Sequence, residues 1–177
     1  MVGVGAGEVV AEAFREAEAL SGAAAPRGAG DAMRFMSFRG QIDHERVVAA
    51  IREAEMGSRG EIRVHVVRHS VGDVEAAAAA AFRHLGMHAT AERNGVLVYV
   101  APASQRFAVV GDAAIHERCP DLWREVAAAM EGAFRRGLFT EGLVEGMGAI
   151  GRALAREFPR MPGSADTNEL PDEVSEE

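Results

Sequence analysis

Five polar residues stand out by type and position: Glu61, Arg93, Asn94, Asp112 and Glu117, interleaved with Gly60, Gly95 and Gly111. Asp112 with Glu117 or Glu61 could supply hard oxygen ligands for calcium or magnesium, ions that bind carboxylates, amide oxygens and carbonyls. Arg93 could hold an anionic group through its guanidinium fork, with Asn94 orienting it. If such a site hydrolyses phosphate esters, Asp112 and Glu117 would hold the metal and activate water. Arg93 would then stabilise the phosphoryl charge. Asn94, Gly111 and Glu61 would complete the binding of the ion. The same residues also admit a purely structural reading, with Glu61 paired to Arg93 or Arg63 and with Asp112 and Asn94 making turn hydrogen bonds.

Other groupings carry less chemistry. His84 and His88 have metal-ligand spacing, but Gly86 interrupts the helix and no glutamate follows His84. His65 and His69 lie on a strand, roughly 13 Å apart, too far to share a metal. The only cysteine, Cys119, excludes an intramolecular disulfide and reads as a small buried or capping residue. Gly3–Gly7 superficially resembles a nucleotide loop, yet no strand precedes it. All 19 basic residues are arginine, so Schiff-base chemistry and a phosphate-loop lysine are excluded.

The elements that must position these residues follow from periodicity. Asp43 is placed to cap a helix carrying Val47, Ala50, Ile51 and Ala54 to about Met56. Glu61–Val67 alternates, with Ile62, Val64 and Val66 facing one way and Glu61, Arg63 and His65 the other, a strand with one polar face. Asp73 caps an Ala-rich helix from Val74 to about Leu85, and Gly86–Asn94 reads as a loop. Gly95–Ala101 is a continuous apolar run, expected to be a strand buried on both faces. The short turn Pro102–Gln105 makes Arg106–Gly111 its antiparallel hairpin partner. Two helices follow. One carries Trp123, Val126, Ala127, Met130 and Phe134 and is closed by Gly137. The other starts at Thr140–Glu141, carries Leu143, Val144, Met147, Ile150, Leu154 and Phe158, and ends at Pro159. Gly142, Gly146 and Gly148 lower its intrinsic propensity, so close packing is expected there.

This order predicts a single α/β domain, a three-layer α/β/α sandwich around a small mixed sheet. The crossover from Glu61 to Ala101 makes those two strands parallel. Their starts then share one end of the sheet with the finish of Arg106–Gly111. Glu61, Arg93–Gly95 and Gly111–Asp112 therefore converge, and the following loop adds His116, Glu117 and Arg118.

The 177-residue length suits one domain with tails, and a hydrophobic fraction of 48% is enough for a core. Residues 1–40 read as a largely disordered extension and linker, with a short helix over Glu8–Leu20 and a Gly/Ala/Pro linker over Ser21–Ala32. Residues 41–162 form the expected domain. Residues 163–177 are an acidic tail bearing Asp166, Glu169, Asp172, Glu173, Glu176 and Glu177, a solvated segment that carries most of the net charge of −8. That charge argues against nucleic acid as a partner. No run approaches the length of a membrane span and no basic leader is evident, so the expected compartment is the cytoplasm.

Taken together, several segments resemble the TPM-domain family. They are Asp43 opening a helix, Gly60–His65, Leu85–Met87, Arg93–Leu97, Phe107–Asp112, Phe134–Gly137 and Asn168–Glu173, running from near Gln41 to the C-terminus. The likeness is to its short, soluble bacterial branch. The resemblance implies an α/β/α sandwich, calcium binding in some members, and the acid phosphatase activity assigned to a plant thylakoid-lumen relative. Longer members carry a Gly-aromatic-Gly-Leu-Glu stretch after the third strand. Here Gly111–Glu117 lacks the aromatic and the second glycine, while Glu117 stands for the glutamate. The expected function is thus a calcium- or magnesium-binding, phosphatase-like module acting, if an enzyme, on a phosphate ester, with no organic cofactor. The alternative is a non-catalytic interaction or scaffold protein that engages a protein partner through the domain surface and acidic tail.

Overall fold

A computed structural model describes residues 42–104, 106–160 and 174–176. Helix α1 (His44–Met56) is capped by Asp43, whose carboxylate accepts from Arg46 N. Strand β1 (Glu61–Val66) follows, then helix α2 (Val74–His84), capped by Asp73 in the same way. A 3-10 turn at Met87–Ala89 leads to β2 (Gly95–Ala101), and another at Pro102–Ser104 leads to β3 (Arg106–Gly111). Helices α3 (Ala113–Arg118), α4 (Leu122–Arg135) and α5 (Phe139–Glu157) come next, and β4 (Val174–Glu176) is the last described element.

The four strands form one mixed sheet in the order β3-β2-β1-β4. β1 and β2 are parallel with Glu61 beside Gly95, and β2 and β3 are antiparallel with Val96 beside Gly111. The alternation in β1 decides which side chains go where. Ile62, Val64 and Val66 join Val96, Val98 and Val100 beneath α1, α4 and α5, in a cluster that includes Trp123, Met130, Ile150 and Phe158. On the other face Leu97, Tyr99, Ala108 and Val110 pack with Val74, Ala78 and Phe82 of α2. The result is the three-layer α/β/α sandwich with a mixed sheet.

Close packing compensates the glycines of α5 at two of the three expected positions. A Cβ at Gly142 would lie 2.7 Å from the Phe134 ring, and one at Gly146 would lie 2.8 Å from Met130. Gly148 meets only the end of Arg152, at 3.5 Å. Gly137, with φ +76, closes α4 where a left-handed residue is needed.

Three features differ from the sequence expectation. The loop after Asp112 contains a short helix, α3. The polar face of β1 is covered, because Glu61, Arg63 and His65 are all buried. Within the segment read as a solvated tail, Val174–Glu176 adds a parallel strand beside Val64–Val66. The expected helix at Glu8–Leu20, the linker and the rest of the tail lie outside the described residues. No helix among the described residues is long and apolar enough to cross a membrane.

Candidate functional site

The strand directions bring the starts of β1 and β2 and the finish of β3 to one end of the sheet. Two backbone hydrogen bonds fasten the connections there: Asp112 N donates to Gly95 O at 2.9 Å and Ala114 N to Arg93 O at 3.2 Å. Asp112 is the N-cap of α3, where its Oδ1 accepts from Ala113 N at 2.7 Å. Its Oδ2 accepts from Arg93 Nε, also at 2.7 Å. A capping carboxylate satisfies donors that the first helical turn leaves open.

This pair is asymmetric. The Asp112 side chain is 4% exposed and that of Arg93 is 57% exposed. The hydrogen bond and charge of Asp112 push the Arg93 guanidinium above its ordinary value. Arg93 is also held at φ 53, the described non-glycine residue in the left-handed region. That conformation costs about 1 kcal/mol or more and persists only where its surroundings enforce it. Here Arg93 N donates to Thr90 O at 3.1 Å, and Asn94 N donates to Thr90 Oγ1 at 3.2 Å.

Asn94 is 1% exposed. Its Nδ2 donates to Arg59 O at 2.7 Å, which ties the loop before β2 to the residues before β1. Its Oδ1 is buried and has no hydrogen-bond partner among the described residues. A buried acceptor left in that state costs about 1–3 kcal/mol, so it calls for an explanation.

The structure brings Arg93, Asn94, Gly111 and Asp112 together around Gly95, but it does not assemble the three expected metal-binding acids. Glu117 is exposed on α3, and Glu61 is buried at the start of β1. Among the described residues no group of three or more His, Cys, Asp or Glu side chains is placed to hold a metal. Of the set Asp112, Glu117 and Glu61, Asp112 caps α3, Glu117 is exposed on that helix and Glu61 is buried at the start of β1. The oxygens this end of the sheet offers an ion are the Asp112 carboxylate and the buried Asn94 Oδ1. Magnesium sites commonly use one or two protein oxygens and keep several waters, so this smaller donor set suits such an ion.

Gly111 serves packing: a Cβ there would lie 2.3 Å from the Trp123 ring. His84 ends α2 and is separated from His88 by Gly86 at φ +71, so one helical face does not carry both. His65 Nδ1 contacts Ser175 Oγ at 2.8 Å, and its ring lies 5.5 Å from that of Tyr99. Cys119 is the buried C-cap of α3, and burial, followed by the charge of Glu157, pushes its thiol up and away from the thiolate. Two contributors escaped sequence reasoning, Thr90 and the Arg59 carbonyl. Thr90 stands four residues before Asn94, a local side-chain-to-backbone spacing that could have flagged it.

The family model of the TPM domain matches residues 40–153. The chain belongs to the TPM-domain family. The solution structure of BA42 from the psychrophilic bacterium Bizionia argentinensis is similar, with 38% identity and a TM-score of 0.70, covering 76% of this chain and 92% of that one. The N-terminal domain of a P. gingivalis protein is similar at 25% identity and a TM-score of 0.54, covering 69% of this chain and 83% of that one. No curated protein matches. For this TPM domain, the family match spans α1 through most of α5, and it contains every residue of the candidate site.

Proposed function

We propose that this TPM domain is a divalent-cation-binding module, and that calcium or magnesium binds at Asn94 and Asp112 by displacing Arg93. Two observations at this end of the sheet support the reading: Asn94 Oδ1 is buried with no hydrogen-bond partner among the described residues, and the buried Asp112 carboxylate is neutralised by an exposed guanidinium. A buried carboxylate requires a counter-charge. Arg93 supplies that counter-charge from the solvent side, with its side chain 57% exposed. A cation that takes Asp112 Oδ2 restores the charge balance, and Asn94 Oδ1 is the neutral oxygen we propose as its further ligand. The left-handed backbone at Arg93 supports the reading, since such outliers gather at ligand sites.

Binding is favoured over hydrolysis of phosphate esters. Cys119 is buried and its thiol is pushed up, and buried Ser58 uses Oγ to accept from Gly60 N at 3.2 Å. Neither is an activated nucleophile. Titrating calcium and magnesium separately into the protein, with amide NMR shifts recorded, tests the proposal. The expected result is a set of shifts at Arg93–Gly95 and Gly111–Ala114 that is lost in Asp112→Asn. No binding at millimolar ion, or equal binding by Asp112→Asn, overturns it.

The second reading is a non-catalytic interaction protein. It is favoured by two exposed apolar side chains, Met56 at 65% and Leu138 at 42%. Pull-down with the natural chain, with Met56→Ser and with Leu138→Ser, each tested separately, distinguishes it from the cation reading.

A further inference from the structure

The outer edge of β1 is taken by the shortest strand of the sheet. β4 is Val174–Glu176, it runs parallel to Val64–Val66, and among the described residues no strand lies on its far side. Backbone alternation shows what β4 satisfies. Val67 N donates to Val100 O on the β2 side, while Ile62 N donates to Glu55 Oε1 at 2.6 Å on the other. Successive residues of a strand turn their backbone groups to opposite edges. Val64 and Val66, in step with Ile62, therefore turn theirs toward β4.

Each side chain of β4 meets a different part of the domain. Val174 packs against the apolar cluster beneath α1, α4 and α5. On the opposite face Ser175 Oγ lies 2.8 Å from His65 Nδ1. The Glu176 carboxylate meets His44 Nε2 of α1 at 3.2 Å and Arg68 Nη2 of the loop after β1. Those three side chains are 31% (Glu176), 46% (His44) and 52% (Arg68) exposed, so their grip is weak. One partly buried valine and two exposed ion pairs hold the strand in place.

We infer that the edge of β1 at Val64–Val66 is a binding site for an extended acidic segment of a partner polypeptide, and that β4 is its displaceable occupant in cis. The occupant shows the chemistry that the site recognises: a chain parallel to β1 with an apolar residue, a hydroxyl and a carboxylate in succession. Strand addition of this kind takes affinity from the backbone ladder and specificity from alternate side chains. Arg68 and His44 complement a carboxylate and disfavour a basic residue at the third position. A partner has to displace β4, which is joined to α5 through residues 158–173 and competes at an effective concentration on the order of millimolar. The site lies at the finish of β1, the far end of the strand from Asn94 and Asp112, so it stands or falls independently of the cation reading.

The test titrates the full chain, with labelled backbone amides, with a blocked synthetic hexapeptide Asp-Glu-Val-Ser-Glu-Glu. Shifts are expected at Val64–Val67, His44 and Ser175–Glu176 and not at Arg93–Gly95, half complete at peptide concentrations on the order of millimolar. Glu176→Gln in the chain loosens the occupant and leaves His44, His65 and Arg68 in place, so it should tighten peptide binding about fivefold. Glutamine for the glutamate that follows serine in the peptide should weaken binding to the natural chain by about the same factor. Absence of shifts at about 10 mM peptide, equal affinity of the two chains, or equal affinity of the two peptides would overturn the inference. Dimers of the natural chain in sedimentation that the peptide disperses would assign the edge to a second copy and overturn it as well.

Discussion

On one face of the sheet Ile62, Val64 and Val66 meet three helices, α1, α4 and α5, in a cluster of fully buried aliphatic and aromatic side chains. On the other face of the same strand stand Glu61, Arg63 and His65, while α2, with Met87 of the 3-10 turn, packs over β2 and β3. The buried polar residues there make directed polar contacts: Arg63 Nη1 donates to Leu85 O at 3.4 Å, and His65 Nδ1 contacts Ser175 Oγ at 2.8 Å. The contrast teaches a division of labour within six residues of chain. Apolar burial on the thick face stabilises the fold without regard to direction. The thin face depends on specific polar partners, each of which contributes only about 0.5–1.5 kcal/mol.

The thick face should show the largest effect. Trp123 is 6% exposed and its ring lies against Gly111. Trp123→Ala should lose about 3–5 kcal/mol in denaturant unfolding through cavity formation. A loss under about 1 kcal/mol would break the comparison, because large core truncations do not leave stability that high.

The thin face should respond less. A chain that stops after Glu173 loses β4, the Ser175 contact to His65 and the Glu176 contacts to Arg68 and His44. A destabilisation of about 1–3 kcal/mol is expected, from a few net hydrogen bonds. Full retention of the melting temperature would return this segment to the role of a solvated tail.

The two helix caps sharpen the contrast further. Asp43 and Asp73 make the same hydrogen bond, to Arg46 N at 3.0 Å and to Ala76 N at 2.9 Å. Alanine at either should cost about 1 kcal/mol. Hydrogen exchange should then differ. Asp73→Ala should accelerate exchange mainly within α2, whereas Asp43→Ala should raise it across α1, α5 and β1 together. Equal, confined effects would mean that the thick face is not one cooperative unit.

What the sequence discloses follows the same line. The helix stripes, both Asp caps, the hairpin and the parallel crossover were legible because each rests on local periodicity or turn chemistry. Strand directions then located the polar end of the sheet correctly. Helix α3 was not legible, since Ile115 is its one buried residue and the Asp112 cap is its main signal. β4 was not legible either, because Val174–Ser175–Glu176 has no pattern until β1 supplies hydrogen-bond partners. The burial of Glu61, Arg63 and His65 depends on what distant segments place over them. The grip of Arg93 on Asp112 and the unpartnered Asn94 Oδ1 are matters of side-chain direction, which residue type and spacing do not encode.

The smallest expected effect on stability is at the polar end of the sheet, in Arg93→Gly. Glycine adopts φ 53 without strain, a relief of about 1 kcal/mol. The variant also loses an ion pair whose arginine is 57% exposed, worth about 0–1 kcal/mol. The two changes oppose each other, so unfolding free energy should shift by no more than about 1 kcal/mol. Arg93→Ala keeps the strain and loses the pair, so it should be less stable than Arg93→Gly by about 1 kcal/mol. Both variants remove the guanidinium that competes for Asp112 Oδ2, and both should bind calcium or magnesium more tightly than the natural chain. If Arg93→Gly instead loses several kcal/mol, Asp112 behaves as a buried charge stripped of its partner. Arg93 would then be a structural member of the thin polar region rather than an ion that a metal can replace.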